Sequence, residues 1–236
     1  MKNLDFKTTT SVWRIFPKLI EWKQLQRDKS ARKKSFNLNF ALNYSILIDL
    51  TVFLEGCFHE ILSSSQLIVN NGLRDSVIDK INRSMYGRLI EDLTAKIDNS
   101  TWSDIPNLYN VCFGQDLKTT VTNETWKAMS ALFTFRNMLT HGKPFSFEFI
   151  RENQGNDFFV DITNKYKTVF YYLKEAKIIL NDKYDLKVDN VEKGIENLLS
   201  NIVIDHFVIS SYNFVDEAIL NIKDISMRKH ILGCIS

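Results

Sequence analysis

Turn-forming residues are scarce in this chain, with 8 glycines and 3 prolines in 236 residues. A many-stranded fold needs a tight turn about every ten residues, so this scarcity directs the chain toward long helices. Periodicity agrees. Ile46, Leu50, Leu54, Cys57 and Ile61 recur at spacings of four, four, three and four, one apolar stripe of a helix running from Phe40 to about Val69. Asn71-Gly72 is expected to close that helix with a left-handed cap. Other helices are expected over Ser11–Lys34, regular only beyond Pro17, and over Asp75–Ile97. A short one should follow an Asp104 N-cap and end at Gly114, and a long one should span Thr122–His141 before Gly142 and Pro144. Lys165–Asn181 and Val191–Ile222 are helical in period, joined by a polar hinge from Asp182 to Asp189. Phe145, Phe147 and Phe149 alternate with polar residues, as do Phe158, Val160 and Ile162, a small β-hairpin signature. The expected fold is an all-α helical bundle with a small β-hairpin and extra C-terminal helices. Its expected divisions are a basic helical arm over 1–35, the bundle with its hairpin over 36–181, and a helical extension over 182–236.

The 44% apolar and 25% charged residues are those of a globular protein, which excludes wholesale disorder. No stretch approaches the length of an uncharged membrane span, and the best, Ile46 to Leu54, carries Asp49. The N-terminus has no apolar segment of the secretory kind. Cys57, Cys112 and Cys234 are odd in number and match no metal or redox spacing. A reduced, cytoplasmic protein without membrane contact is the expectation. Charge is uneven: residues 1–34 carry a balance of +7 and the rest −5. A basic arm of this kind suits a polyanion, because neutralising phosphates releases counterions.

The chain contains no glycine-rich phosphate loop, no HExxH, no GxSxG and no Cys/His cluster, so neither cofactor nor metal is expected. Of four histidines, His59 lies four residues after Glu55 and can pair with it along one helix face. His206 reads as a local packing or hydrogen-bonding residue, and His230 as part of an exposed tail. His141 stands apart because Arg136 and Asn137 precede it on one helix. Ala128, Leu132, Phe135 and Leu139 form that helix's core stripe, and Trp126, Met129 and Phe133 form a second apolar group on another face. Two apolar faces imply a central helix or a subunit seam. The neighbouring Arg and His favour a subunit seam or a cleft over a dry core, where both are costly to bury.

Such a set suits cleavage of RNA. An imidazole can take the 2′-hydroxyl proton or protonate the leaving 5′-oxygen. A forked guanidinium can hold the charge gathered on the phosphate oxygens, and the Asn137 amide can orient either group. One helix offers one imidazole, so an acid–base pair would need a second copy.

Arg136-Asn137-x-x-x-His141 resembles the R-x(4–6)-H signature of the HEPN superfamily, in which Asn commonly follows the Arg. Leu54-Glu55-Gly56 is similar to the acidic site on the family's long N-terminal helix. The resemblance covers roughly residues 36 to 180 in helix order and is sharp over about ten residues. It implies a HEPN-like bundle and a metal-independent endoribonuclease that leaves 2′,3′-cyclic phosphate and 5′-hydroxyl ends. Arg136, Asn137 and His141 would be catalytic, in a homodimer joined through Trp126, Met129 and Phe133. It also implies the setting of a bacterial toxin or anti-phage effector, restrained by an antitoxin or a defence-system partner. Glu55 reads either as a carboxylate orienting Arg136 or His141 or, more simply, as an exposed partner of His59. The alternative function is a non-catalytic HEPN module that binds RNA, nucleotide or a partner protein. A helical scaffold without a ligand is the third reading.

Overall fold

The apolar stripe read from the sequence lies along the longest described helix. Phe36–Asp75 forms one helix of 40 residues, α2, and Ile46, Leu50, Leu54, Cys57 and Ile61 along it are each at most 1% exposed. The helix continues through Asn71 and Gly72 instead of ending there. A glycine inside a helix costs about 1 kcal/mol relative to alanine, too little to stop a helix of this length. The computed structural model describes residues 12–32, 36–75, 80–140, 148–151, 158–161, 164–179 and 197–235. The expected hinge at Asp182–Asp189 and the stop at Gly142 and Pro144 lie outside them.

Before α2 comes α1 (Val12–Arg32), and after it come α3 (Lys80–Asp98), α4 (Ile105–Phe113), α5 (Leu117–Thr120) and α6 (Asn123–Thr140). Then follow β1 (Glu148–Arg151), β2 (Phe158–Asp161), α7 (Asn164–Glu175), α8 (Asn201–Leu220) and α9 (Ile225–Ile235). The two strands pair antiparallel, with Glu148 opposite Asp161 and Arg151 opposite Phe158. Pro17 lies inside α1, where it forfeits the backbone bond to Trp13 without ending the helix. The bounds of α4 agree with its turn chemistry, since Gly114 closes it at φ 63°. Its start differs. Asp104 makes no cap bond into the helix; its carboxylate accepts instead from the Thr101 amide at 2.9 Å and the Thr101 hydroxyl at 2.8 Å.

The described chain divides into two compact units whose boundaries fall at neither residue 35 nor residue 181. Each unit is assembled from separated stretches, because α1, α2, α6 and α8 each contribute one end to each unit. Polar stretches in a sequence mark where a chain turns, not which stretches pack together.

The first unit comprises residues 1–17, 52–126 and 213–236. Its core is aromatic: Phe58 lies against Trp102, Tyr109 and Phe214 at ring separations of 6.5, 6.4 and 5.5 Å. Edge and tilted pairings of this kind add to plain burial. The Tyr109 hydroxyl, deep in this core, donates to the Ala218 carbonyl at 2.7 Å. Glu217 accepts from the Thr122 amide at 2.6 Å and the Thr125 hydroxyl at 2.9 Å, which places a carboxylate at the start of α6. The start of α1 lies so close to α2 that a Cβ on Gly56 would stand 2.9 Å from a Val12 methyl carbon.

The second unit comprises residues 18–51 and 127–212. Ile20, Leu47, Leu50, Leu132, Phe135, Val203 and Phe207 are buried in its core. A polar network joins α1, α2 and α8 there. Arg27 of α1 is 3% exposed and grips Asp205 with both terminal nitrogens, at 2.9 and 3.1 Å. Its Nε donates to Asp28 at 3.0 Å. Asn43, fully buried, donates to the Leu199 carbonyl at 2.7 Å and to Asn201 at 2.9 Å. Lys23 bonds Ser45 at 2.6 Å and pairs with Asp49.

Candidate functional site

Arg136 and Asn137 lie in the last turns of α6, where the second unit holds them half-buried. Arg136 Nη1 donates to the Asn137 side-chain oxygen at 3.0 Å. The Thr140 hydroxyl donates to the Arg136 carbonyl at 3.0 Å, which ties the final turn to the turn before it. Arg136 Nε is buried and has no hydrogen-bond partner among the described residues. A buried guanidinium N–H without an acceptor is costly, and sites that later receive an anion leave such donors open. Asn137 accepts the Arg136 Nη1 bond with its side-chain oxygen. His141 follows α6 directly in sequence and lies outside the described residues.

The expected seam fares differently. Met129 is fully buried and Phe133 is 3% exposed, both covered by this chain itself. The Ser211 hydroxyl lies 3.8 Å from the Met129 sulfur, and Phe135, on the first face, packs against Phe207 at 6.4 Å. Both faces of α6 in this unit are therefore internal, so Met129 and Phe133 present no open surface to a second copy. Trp126 belongs to the first unit, half-buried between Trp102 at 6.2 Å and Phe214 at 6.3 Å. The two-faced pattern marks a central helix.

Glu55 is half-buried on α2 in the first unit, and no hydrogen bond or ion pair joins it to another described residue. Its expected partner turns elsewhere: His59 Nε2 lies 3.1 Å from the Ser100 carbonyl and 3.0 Å from the Ser100 hydroxyl. The end of α3 offers His59 two fixed partners, which a flexible carboxylate one turn away does not match. The basic arm is likewise only partly available to a polyanion. Lys23 and Arg27, two of its ten cations, are spent on Asp49 and Asp205 inside the second unit.

Two further groups lie apart from the expected site. Glu60, on α2 in the first unit, has one carboxylate oxygen buried without a partner among the described residues. Burial raises its pKa, and a hydrogen bond from Trp13 opposes the rise. In the second unit the Tyr172 hydroxyl of α7 meets His206 Nε2 of α8 at 2.5 Å, and burial lowers the imidazole pKa. His206 is thus a hydrogen-bonding residue, as expected, but its bond is tertiary and not local. Its partner, 34 positions away, left no local signal.

Among the described residues no group of His, Cys, Asp or Glu is placed to hold a metal ion. No described helix is long and apolar enough to cross a membrane. No family model, curated protein or solved structure matches the chain.

Proposed function

We propose that this chain is a metal-independent endoribonuclease of the HEPN type, working in the cytoplasm as a homodimer. The observation that carries the reading is the Arg136–Asn137 pair at the end of α6, with a guanidinium donor unmet and His141 next along the chain. In the reaction, the 2′-hydroxyl of RNA attacks the adjacent phosphorus and the 5′-oxygen leaves, giving 2′,3′-cyclic phosphate and 5′-hydroxyl ends. His141 moves the proton at one of these oxygens, and the same residue of a second copy serves the other. Arg136 holds the non-bridging oxygens as their charge grows, and Asn137 keeps the guanidinium fork in place. The resemblance supplies the setting: a bacterial toxin or anti-phage effector checked by an antitoxin or partner protein.

The test is incubation of the purified chain with RNA in excess chelator, with the ends of the products identified. Cleavage to cyclic phosphate ends is expected. His141→Ala should lower the rate by about 10² to 10⁴, the usual worth of a general acid or base. Strict dependence on added divalent metal, or full activity of His141→Ala, overturns the mechanism. The second reading is a non-catalytic module binding RNA, nucleotide or a partner protein. The Arg136–Asn137 bond serves it as well, since it positions an anion clamp without any need for the imidazole. RNA bound and left uncut would favour it.

A further inference from the structure

In the second unit, the outward stripe of α8 consists of Ile202, Asp205, His206 and Ile209, one helical face at spacings of three, one and three. Ile202 is 67% exposed and Ile209 61%, among the most exposed large apolar side chains described. The Asp205 side chain between them is 40% open. Among the described residues, the hydrogen bonds of the stripe to neighbouring helices fall at its middle. From one side, Gln24 and Arg27 of α1 bond Asp205, at 2.7 Å and 2.9 Å; from the other, Tyr172 of α7 bonds His206. The two isoleucines are left bare at the ends.

The segment Ile202-Val203-Ile204-Asp205-His206-Phe207-Val208-Ile209 reads nearly alike in both directions. A two-fold axis between positions 205 and 206 sets Ile202 against the partner's Ile209. It also sets Asp205 against the partner's His206. We propose that α8 joins two copies of this chain as an antiparallel helix pair centred between Asp205 and His206.

The occupant is a second copy because a two-fold contact requires a surface complementary to itself, and this stripe is. Apolar ends meet apolar ends, and a carboxylate meets an imidazole. With Nε2 engaged by Tyr172, Nδ1 is the ring nitrogen that remains to face that carboxylate. A parallel pairing would oppose Asp205 to its own copy, two acceptors with no donor between them. The inference rests on the proposed ribonuclease only for the need of two copies, and it names α8, not the buried face of α6, as the surface that joins them.

The test is sedimentation of the full chain over a micromolar concentration range, with cysteine cross-linking beside it. The wild-type chain should be a dimer, and Ile209→Asp a monomer with unchanged circular dichroism. The double variant Ile202→Cys/Ile209→Cys should cross-link copies under mild oxidation. Neither single variant should cross-link beyond the wild-type background of native cysteines. Like positions on the antiparallel pair are about 10 Å apart along the axis, past the reach of a disulfide. A wild-type chain that stays monomeric, an Ile209→Asp that stays dimeric, or single variants that cross-link as well as the double would each overturn the pairing. None of these readouts involves RNA. A dimer joined at α8 that cuts no RNA supports the pairing and counts against the ribonuclease alone; a monomer that cuts RNA overturns the pairing and the two-copy mechanism while leaving the cleavage activity standing.

Discussion

Replacing Phe133 by aspartate puts a carboxylate where the structure holds a phenyl ring at 3% exposure. Loss of the ring costs about 3 to 5 kcal/mol, from lost transfer energy and the cavity left behind. Stranding a charge at such a site adds several kcal/mol more. Arg136, three residues along the same helix, reduces that second cost without removing the first. The sum is comparable with the whole stability of a domain, about 5 to 15 kcal/mol. Phe133→Asp should therefore lose cooperative folding of the second unit, where a subunit seam at this position would yield folded monomers. The assay is thermal unfolding followed by near- and far-ultraviolet circular dichroism, with Leu25→Asp, on an exposed position of α1 in the same unit, as the control. That control should remain within about 0.5 kcal/mol of the wild type, as surface substitutions usually do. A Phe133→Asp protein that melts cooperatively within about 5 °C of the wild type would refute the assignment of α6 as a central helix.

His206 binds its proton less readily in the folded chain than in the unfolded one, because burial lowers its pKa. Its contribution is present above the unfolded value of about 6.5 and is lost as pH falls below it toward the folded value. His206→Gln should flatten the fall of Tm on mild acidification, and an unaltered slope would show that burial does not hold the imidazole neutral. Glu60 behaves oppositely: burial raises its pKa, so the folded chain holds that proton more tightly. Its contribution is full below the unfolded value of about 4.3 and is lost as pH rises through the folded value. Glu60→Gln should raise Tm at neutral pH and give no gain in acid; a lower Tm at neutral pH would show that the ionised carboxylate has a partner worth more than its burial costs.

Arg136 and Asn137 were readable as a pair on one helix because their spacing to His141 is a local property. So was the stripe of α2, whose period depends only on helix geometry. Turn chemistry was read correctly at Gly114, where a left-handed backbone needs glycine, and incorrectly at Gly72, where the helix simply continues. Asp104 shows the limit of a local rule, since the Thr101 amide and hydroxyl outcompeted the helix for its carboxylate. The sequence by itself thus determined the long helices α1, α2, α3 and α6, the two apolar faces of α6 and the Arg-Asn-x-x-x-His series, but not the short α5 and the C-terminal α9. Only the tertiary structure decided that both faces of α6 in the second unit are covered from within. It likewise decided that Arg27 of a basic arm is buried on Asp205, 178 positions away, and that Ile202 and Ile209 remain bare. Helical period and turn preference arise between near neighbours in the chain, whereas burial is set by residues that only folding brings together.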